Sequence, residues 1–167
     1  MAEGMKKCVA LCILKNEDNY LLIRRGKRKN TKEDDYGMYL PIGGKLEPYE
    51  TPKEAAKREV YEETGYTIDN VEFKGMIIEN SKNNYNWVDF VYLSEVSYFE
   101  PKETDEGYLE WVHKDEVLKL PTPEIDKEVY KYIVNNQKFI FNDEYDDEIN
   151  LIYSKEELSG KVIIDRR

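Results

Sequence analysis

One histidine and two cysteines stand in 167 residues, and that scarcity removes several chemistries at the outset. A lone His113 leaves no basis for a zinc centre or a histidine-centred nucleophilic triad. Cys8 and Cys12 fall on one side of an expected strand, about 13 Å apart when extended, too far to bridge. Reduced thiols of a cytosolic protein are the expectation. No apolar run approaches the roughly 20 residues of a membrane span. The longest early run, Cys8 to Leu14, follows Lys6-Lys7 as a signal-peptide core would, but it lacks a small-residue cleavage site and ends in charge at Lys15. It reads as a buried strand. Positive charge is also in deficit, with 25 Lys and Arg against 35 Asp and Glu, a net charge of −10 and a pI of about 4.8. That balance argues against a broad electrostatic hold on nucleic acid or an anionic membrane. A small phosphorylated substrate would arrive with metal ions or meet a local basic patch. With no internal repeat, no low-complexity linker and 40% hydrophobic content, residues 1–167 read as a single domain.

What the chain does have is concentrated between Gly43 and Tyr66. Thr51 can cap a helix that begins at Pro52, where a missing N–H costs nothing, and Glu54 stands three residues after the cap to close a capping box. Gly65 supplies a left-handed stop. The helix so bounded, Pro52 to Thr64, gathers Ala55, Ala56 and Val60 into a thin apolar stripe that must pack closely on something. Glu59, Glu62 and Glu63 follow at i, i+3 and i+4, a fan of about 100° on the helix surface. Two carboxylates about 5 Å apart repel by roughly 3 kcal/mol at an effective dielectric near 20, and the helix C-terminus adds to the penalty. One reading is a solvated acidic face. The other is that Arg58 takes up one carboxylate and a hard divalent ion with oxygen ligands takes up the rest.

Gly44, five residues, Glu50, seven residues and then Arg58-Glu59-Val60-Tyr61-Glu62-Glu63-Thr64-Gly65 reproduce G-x5-E-x7-R-E-U-x-E-E-x-G-U, where U is bulky and aliphatic. In this stretch the chain resembles the Nudix hydrolases. Tyr66 replaces the last U, a variation at a packing position. The resemblance implies an α/β fold, an α/β/α sandwich with a mixed β-sheet, with the signature loop-helix-loop holding the metal site against the sheet's centre. It implies cleavage of a nucleoside diphosphate linked to a moiety X with Mg²⁺, for which Mn²⁺ can substitute. By the same resemblance the Gly44 carbonyl and Glu59, Glu62 and Glu63 bind the ions, Arg58 steers Glu59, and Glu50 is an auxiliary ligand or supports one. The general base is then Glu62 or a carboxylate of the later acidic loop, with Glu106 ahead of Glu103 and Asp105. That loop can also be read as simply solvated.

Along the chain, residues 6 to 14 and 20 to 25 read as a hairpin turning at Asn16-Glu17-Asp18-Asn19. A basic run from Arg24 to Lys32 follows. It is either a solvated loop or a place where Arg24 or Arg25, at a strand end, reaches a substrate phosphate. Gly43-Gly44 reads as loop. Val71 to Glu79 and Trp87 to Val96 form a second antiparallel pair. Phe99 to Gly107 is an acidic loop before a strand at Tyr108 to Val112. His113 to Leu118 and Glu124 to Val134 read as helices covering the sheet. Lys138 to Asn142, Leu151 to Tyr153 and Lys161 to Ile164 are short strands, and Asp143 to Asp147 is an acidic turn.

The region from Glu106 through Pro121-Thr122-Pro123-Glu124-Ile125-Asp126 to Phe139 resembles the branch acting on nucleoside triphosphates, including oxidised purines such as 8-oxo-dGTP, and implies that Glu124 and Asp126 touch the substrate base. Leu40 and Ile125 depart from that branch's pattern, and a capping or solvated role for Asp126 stays open. Trp87, Phe90 and Tyr92 read either as core or as a stacking surface for a base. Ser81 and Lys82 replace the proline of ADP-ribose members, and Tyr85 falls only near the tyrosine of dinucleoside polyphosphate members. Three readings follow: a triphosphate pyrophosphohydrolase, a dinucleoside polyphosphate or nucleotide-sugar hydrolase, and a nucleotide-binding regulator without turnover. The partner in each is a small-molecule nucleotide, in a cytoplasmic protein, with homodimerisation left open.

Overall fold

The computed structural model describes residues 5–27, 36–83 and 85–167. The basic run beyond Lys27 and Glu33-Asp34-Asp35 therefore lie outside the described residues. β1 (Lys7–Asn16) and β2 (Asn19–Arg25) form the expected hairpin, paired from Leu14–Leu21 down to Asn16–Asn19. The strands run further into the turn than expected because Glu17 adopts a left-handed conformation with φ of 52° and tightens it. β3 (Tyr39–Leu40) pairs with β2, and β4 (Ile42–Lys45) pairs with β1. Gly43 and Gly44 thus belong to a strand rather than a loop. Gly43 lies so close to Ala10 and Leu11 that only a residue without a side chain allows the pairing.

α1 (Pro52–Thr64) has the expected bounds. β5 (Glu72–Ser81) and β6 (Trp87–Glu95) are antiparallel, β7 (Gly107–His113) joins β2, and α2 (Lys114–Val117) and α3 (Glu124–Val134) follow. β8 (Phe139–Tyr145), β9 (Leu151–Glu156) and β10 (Val162–Asp165) end the chain. The expected turn at Asp143 to Asp147 begins later: Asp143, Glu144 and Tyr145 extend β8, and Asp146 closes the turn by accepting hydrogen bonds from the backbone N–H groups of Glu148 and Asn150. Pairing with β5 and β9 keeps these residues in the ladder.

All ten strands join one mixed sheet in the order β10-β9-β8-β5-β6-β1-β2-β3, with β4 added on β1 and β7 on β2. The β1–β6 and β5–β8 pairs are parallel and the rest antiparallel. Side chains alternate between faces, so one-residue steps sort them. Ala10, Cys12, Leu14 and Tyr92 face α1 and bury Ala55, Ala56 and Val60, whereas Ile13, Ile77, Val91, Leu93, Phe139 and Phe141 face α3 and bury Ile125, Val129, Tyr130 and Ile133. Helices on both sides of a mixed sheet make the expected α/β sandwich, with α1 against the sheet's centre. Cys8 and Cys12 are both free, and burial pushes the Cys12 thiol up to about 12.

Candidate active site

The signature helix is positioned by chemistry at its own ends. Thr51 N–H donates to Glu54 Oε2 at 2.8 Å while Glu54 N–H donates to Thr51 Oγ1 at 3.3 Å, and at the far end Gly65, with φ of 79°, donates to the Tyr61 carbonyl at 2.7 Å. Three small buried side chains, Ala55, Ala56 and Val60, let α1 sit close to β1 and β4. Gly44 is the point of closest approach: a Cβ there would overlap the Glu59 carboxylate. The helix face and the strand carbonyls are thereby brought together with oxygen donors only.

Arg58 organises the acids. Its fork holds both oxygens of Glu50, Nε at 2.8 Å and Nη2 at 3.0 Å, while Nη1 reaches Glu59 at 2.7 Å and Glu62 at 3.3 Å, and Nη2 also donates to the Lys45 carbonyl at 3.1 Å. One guanidinium therefore ties three carboxylates, not the single one expected, and links helix, loop and β4. These pairs raise the Arg58 guanidinium above its ordinary value, Glu50 contributing most, and Arg58 in turn holds Glu50 below the usual carboxylate range. Glu59 goes the other way: burial raises it, outweighing Arg58. Among the described residues no three acidic side chains already converge as an ion would require. The set nonetheless fits a hard divalent ion, because a half-buried Glu59 carboxylate is pressed against Gly44, one helical turn from Glu62 and Glu63, and the groups so gathered are the oxygen ligands such an ion takes.

The acidic loop adds a further carboxylate. Thr104 and Gly107 exchange backbone hydrogen bonds, the Glu106 N–H donates to Thr104 Oγ1 at 3.0 Å, and the Glu106 carbonyl accepts from Gly26 N–H at 3.2 Å. This turn places Glu106 where its charge is felt by Glu59. Glu106 lines a cavity of about 860 Å³ that also takes in Gly43, Gly44, Lys45 and Arg25. Of the other two loop acids, Glu103 lies in a bridge with Tyr108, and neither it nor Asp105 lines this cavity. From the Gly44 end the cavity runs past Trp87 to the start of α3 and a floor of Glu79, Asp89 and Asp126.

A NUDIX domain model matches residues 5–133, more than half of the chain. The chain belongs to the Nudix family. It is 28% identical over 135 residues to the Nudix hydrolase YvcI of Bacillus subtilis, covering 77% of this chain and 80% of that one. A crystal structure of the MutT protein from Bacillus halodurans superposes with a TM-score of 0.78 at 30% identity, covering 91% of this chain and 98% of its own. The fold is shared more distantly with the NUDIX domain of Shewanella oneidensis NrtR, solved with ADP ribose, at a TM-score of 0.64 and 15% identity over 80% and 89% of the two chains. This Nudix protein is a hydrolase of pyrophosphate bonds in nucleotide-type substrates.

Within the Nudix domain the remaining candidates divide. Arg25 lines the cavity on the same side of β2 as Ile23, whereas Arg24 points the other way, donates to Glu110 Oε1 at 2.7 Å and lies over the Tyr108 ring. Strand alternation separates the two arginines. Glu124 sits at the rim in a two-pronged pair with Arg166, at 2.6 and 2.8 Å, which holds it below the ordinary carboxylate range. Asp126 is neither solvated nor a cap: it is 8% exposed, and α3 begins at Glu124, after Pro123, with no side-chain cap. Trp87 lines the cavity, while Tyr92 packs in the core beneath α1 with Phe90 against it.

Sequence reasoning passed over Glu79, Asp89 and Asp143. Burial first, then repulsion within the group, pushes Asp89 up to about 8 and Asp126 to about 7, while burial alone raises Glu79 against the hydrogen bonds of Tyr145 and Tyr85. Asp143 reaches about 7 by burial and by repulsion from Glu79, with the Ser154 hydroxyl opposing. A signal was present for Glu79 and Asp89: each occupies an inward position in an apolar strand, where a carboxylate has no packing role.

Proposed function

We propose that this Nudix domain hydrolyses a nucleoside triphosphate, an oxidised purine such as 8-oxo-dGTP among the candidates, to a monophosphate and pyrophosphate. The observation that carries this reading is the continuity of one cavity from Gly44 and Glu106 to the acidic floor, within the range of roughly 300–1,000 Å³ typical of small-molecule sites. Its two ends differ in chemistry as the two ends of a nucleotide do. The Gly44 carbonyl and the carboxylates of Glu59, Glu62 and Glu63 would hold Mg²⁺ or Mn²⁺. The bound ion supplies positive charge against the non-bridging phosphate oxygens.

The chain's own residues do the rest. Arg58, clamped by Glu50, fixes the rotamers of Glu59 and Glu62, so their carboxylates are placed before substrate arrives. Arg25 and Lys45, at the same end of the cavity, orient phosphate oxygens. Glu62 or Glu106 takes the proton of the attacking water. Asp126 meets the base, while Glu124 acts at one remove by fixing Arg166 at the rim.

Incubation of the protein and Mg²⁺ with a panel of nucleoside triphosphates, dinucleoside polyphosphates and nucleotide sugars, with products separated by chromatography, tests the reading. Monophosphate with inorganic pyrophosphate is the expected result. Two nucleotides or a sugar phosphate as the main products would replace it with the second hydrolytic reading. Glu62→Gln or Glu63→Gln should lower kcat at least about 100-fold with the fold intact, and wild-type rates in either variant would remove that residue from the site.

A further inference from the structure

The β8–β9 hairpin lies beyond residues 5–133, the stretch that the NUDIX model matches, yet it forms one wall of the cavity. Its tip contributes Glu148, Ile149, Asn150 and Leu151 to the lining, beside Tyr145 at the end of β8. Ile149 is out of place there. With φ of 65° it holds a left-handed conformation that a β-branched residue avoids, because its Cβ crowds the neighbouring backbone. Gly or Asn takes that conformation at little cost. Nor does packing require the side chain, which is 43% exposed at the edge of the cavity and takes no part in the buried core. Asp146 imposes the conformation. Its Oδ1 accepts from the N–H groups of Glu148 at 2.9 Å and Asn150 at 2.8 Å, and its Oδ2 accepts from the Asn150 amide at 3.0 Å. Its own N–H donates to the Asn150 carbonyl at 3.0 Å, and its carbonyl accepts from the Ile149 N–H at 3.1 Å. From the β5–β6 connection the Asn83 amide donates to the Asp147 carbonyl at 2.9 Å, so the turn is braced from outside as well.

A strained residue that the core does not need, with its side chain on a cavity, points to a ligand contact. We propose that Ile149 packs on the nucleoside part of the substrate, and that Asp146 is the positioning residue that holds it there. This rests on the nucleotide reading given above. The placement follows from strand order. Gly44 lies on β4, and β8 is reached from it across β1, β6 and β5, four interstrand steps of about 4.8 Å, or roughly 19 Å. A substrate anchored at Gly44 by its phosphates therefore meets Ile149 with its other end. Over that span the wall turns apolar. Tyr85 stands edge-on between Trp87 at 6.2 Å and Tyr145 at 5.1 Å, and Leu151 and Ile149 continue the surface. Such a surface fits a ring and its sugar rather than phosphate oxygens. Leu151 is already packed in the core, whereas Ile149 keeps apolar surface that a bound nucleoside would remove from water, offsetting the backbone strain. The contact lies far from the scissile anhydride and is the same in ground and transition states, so it acts on KM and not on kcat.

Steady-state kinetics of the full chain with Mg²⁺, on the nucleotide it cleaves best and with inorganic tripolyphosphate as a competitor that has no nucleoside, test this. Ile149→Gly and Ile149→Asn both accept the left-handed backbone, so a thermal melt should show Tm kept or raised. Each should raise KM about tenfold with kcat within about twofold, while the inhibition constant of tripolyphosphate stays within about twofold. Asp146→Ala should raise KM by a similar factor, and Asp146→Asn, which keeps an acceptor for the two backbone N–H groups, should recover most of it. In the Ile149→Gly background Asp146→Ala should add nothing to KM, because it acts through Ile149. Unchanged KM in both Ile149 variants, or tripolyphosphate inhibition that weakens in step with KM, overturns the assignment while nucleotide hydrolysis stands. If the wild type neither binds nor cleaves any nucleotide, the functional reading falls and this one with it.

Discussion

Asp89→Asn should make the protein more stable, and only above acid pH. In the unfolded chain this carboxyl titrates near 3.8, and in the fold burial and three acidic neighbours push it up to about 8. Between those values the unfolded state has lost the proton and the folded state keeps it. Stability therefore falls as pH rises through this window and levels off above the folded pKa. At about 1.4 kcal/mol per pH unit the window sets a ceiling near 6 kcal/mol. Part of the shift is repulsion shared with Glu79, Asp126 and Asp143, which titrate more easily once Asp89 is neutral, so we expect roughly half, about 3 kcal/mol. Urea unfolding of wild type and variant at pH 4.5, 6 and 8.5 measures the difference. It should be near zero at pH 4.5 and grow with pH. A gap independent of pH, or a variant less stable at pH 8.5, would refute the claim that the floor carries a proton there.

The signature helix offers three further tests. Arg58→Lys keeps the charge but loses the fork that ties Glu50, Glu59 and Glu62, so kcat should fall about 10- to 100-fold with little change in Tm, read from steady-state kinetics beside a thermal melt. Gly44→Ala places a methyl on the Glu59 carboxylate, whose flexible end can swing aside; Tm should move by a few degrees at most, while the Mg²⁺ concentration for half-maximal rate rises about tenfold or more. Ala56→Leu overfills the contact between α1 and the sheet and should cost about 1–3 kcal/mol in denaturant unfolding. An unchanged midpoint there would mean that the helix does not rest on its small residues.

Local chemistry made the signature helix legible. The capping box at Thr51 and Glu54, Pro52 at the start and Gly65 at the end are decided within a turn or so of the chain, and the structure reproduces Pro52–Thr64 as read. Alternation and apolar runs likewise located the hairpin, the β5–β6 pair and α3. The expected strand at Lys138 to Asn142, by contrast, stopped short of Asp143 to Tyr145, because composition marks those residues as polar while ladder partners on β5 and β9 hold them extended.

By itself, then, the sequence determined the helix, its row of acids and the family to which they belong, since all three depend on spacing within about two dozen residues. Only the tertiary structure decided that Arg25 and not Arg24 enters the cavity, that Arg58 clamps three carboxylates, and that Glu79, Asp89, Asp126 and Asp143 meet. Those outcomes follow from strand register and from the docking of α3 on the sheet, which bring together residues as far apart as Glu79 and Asp143. A one-residue slip of β6 would turn Asp89 to the opposite face.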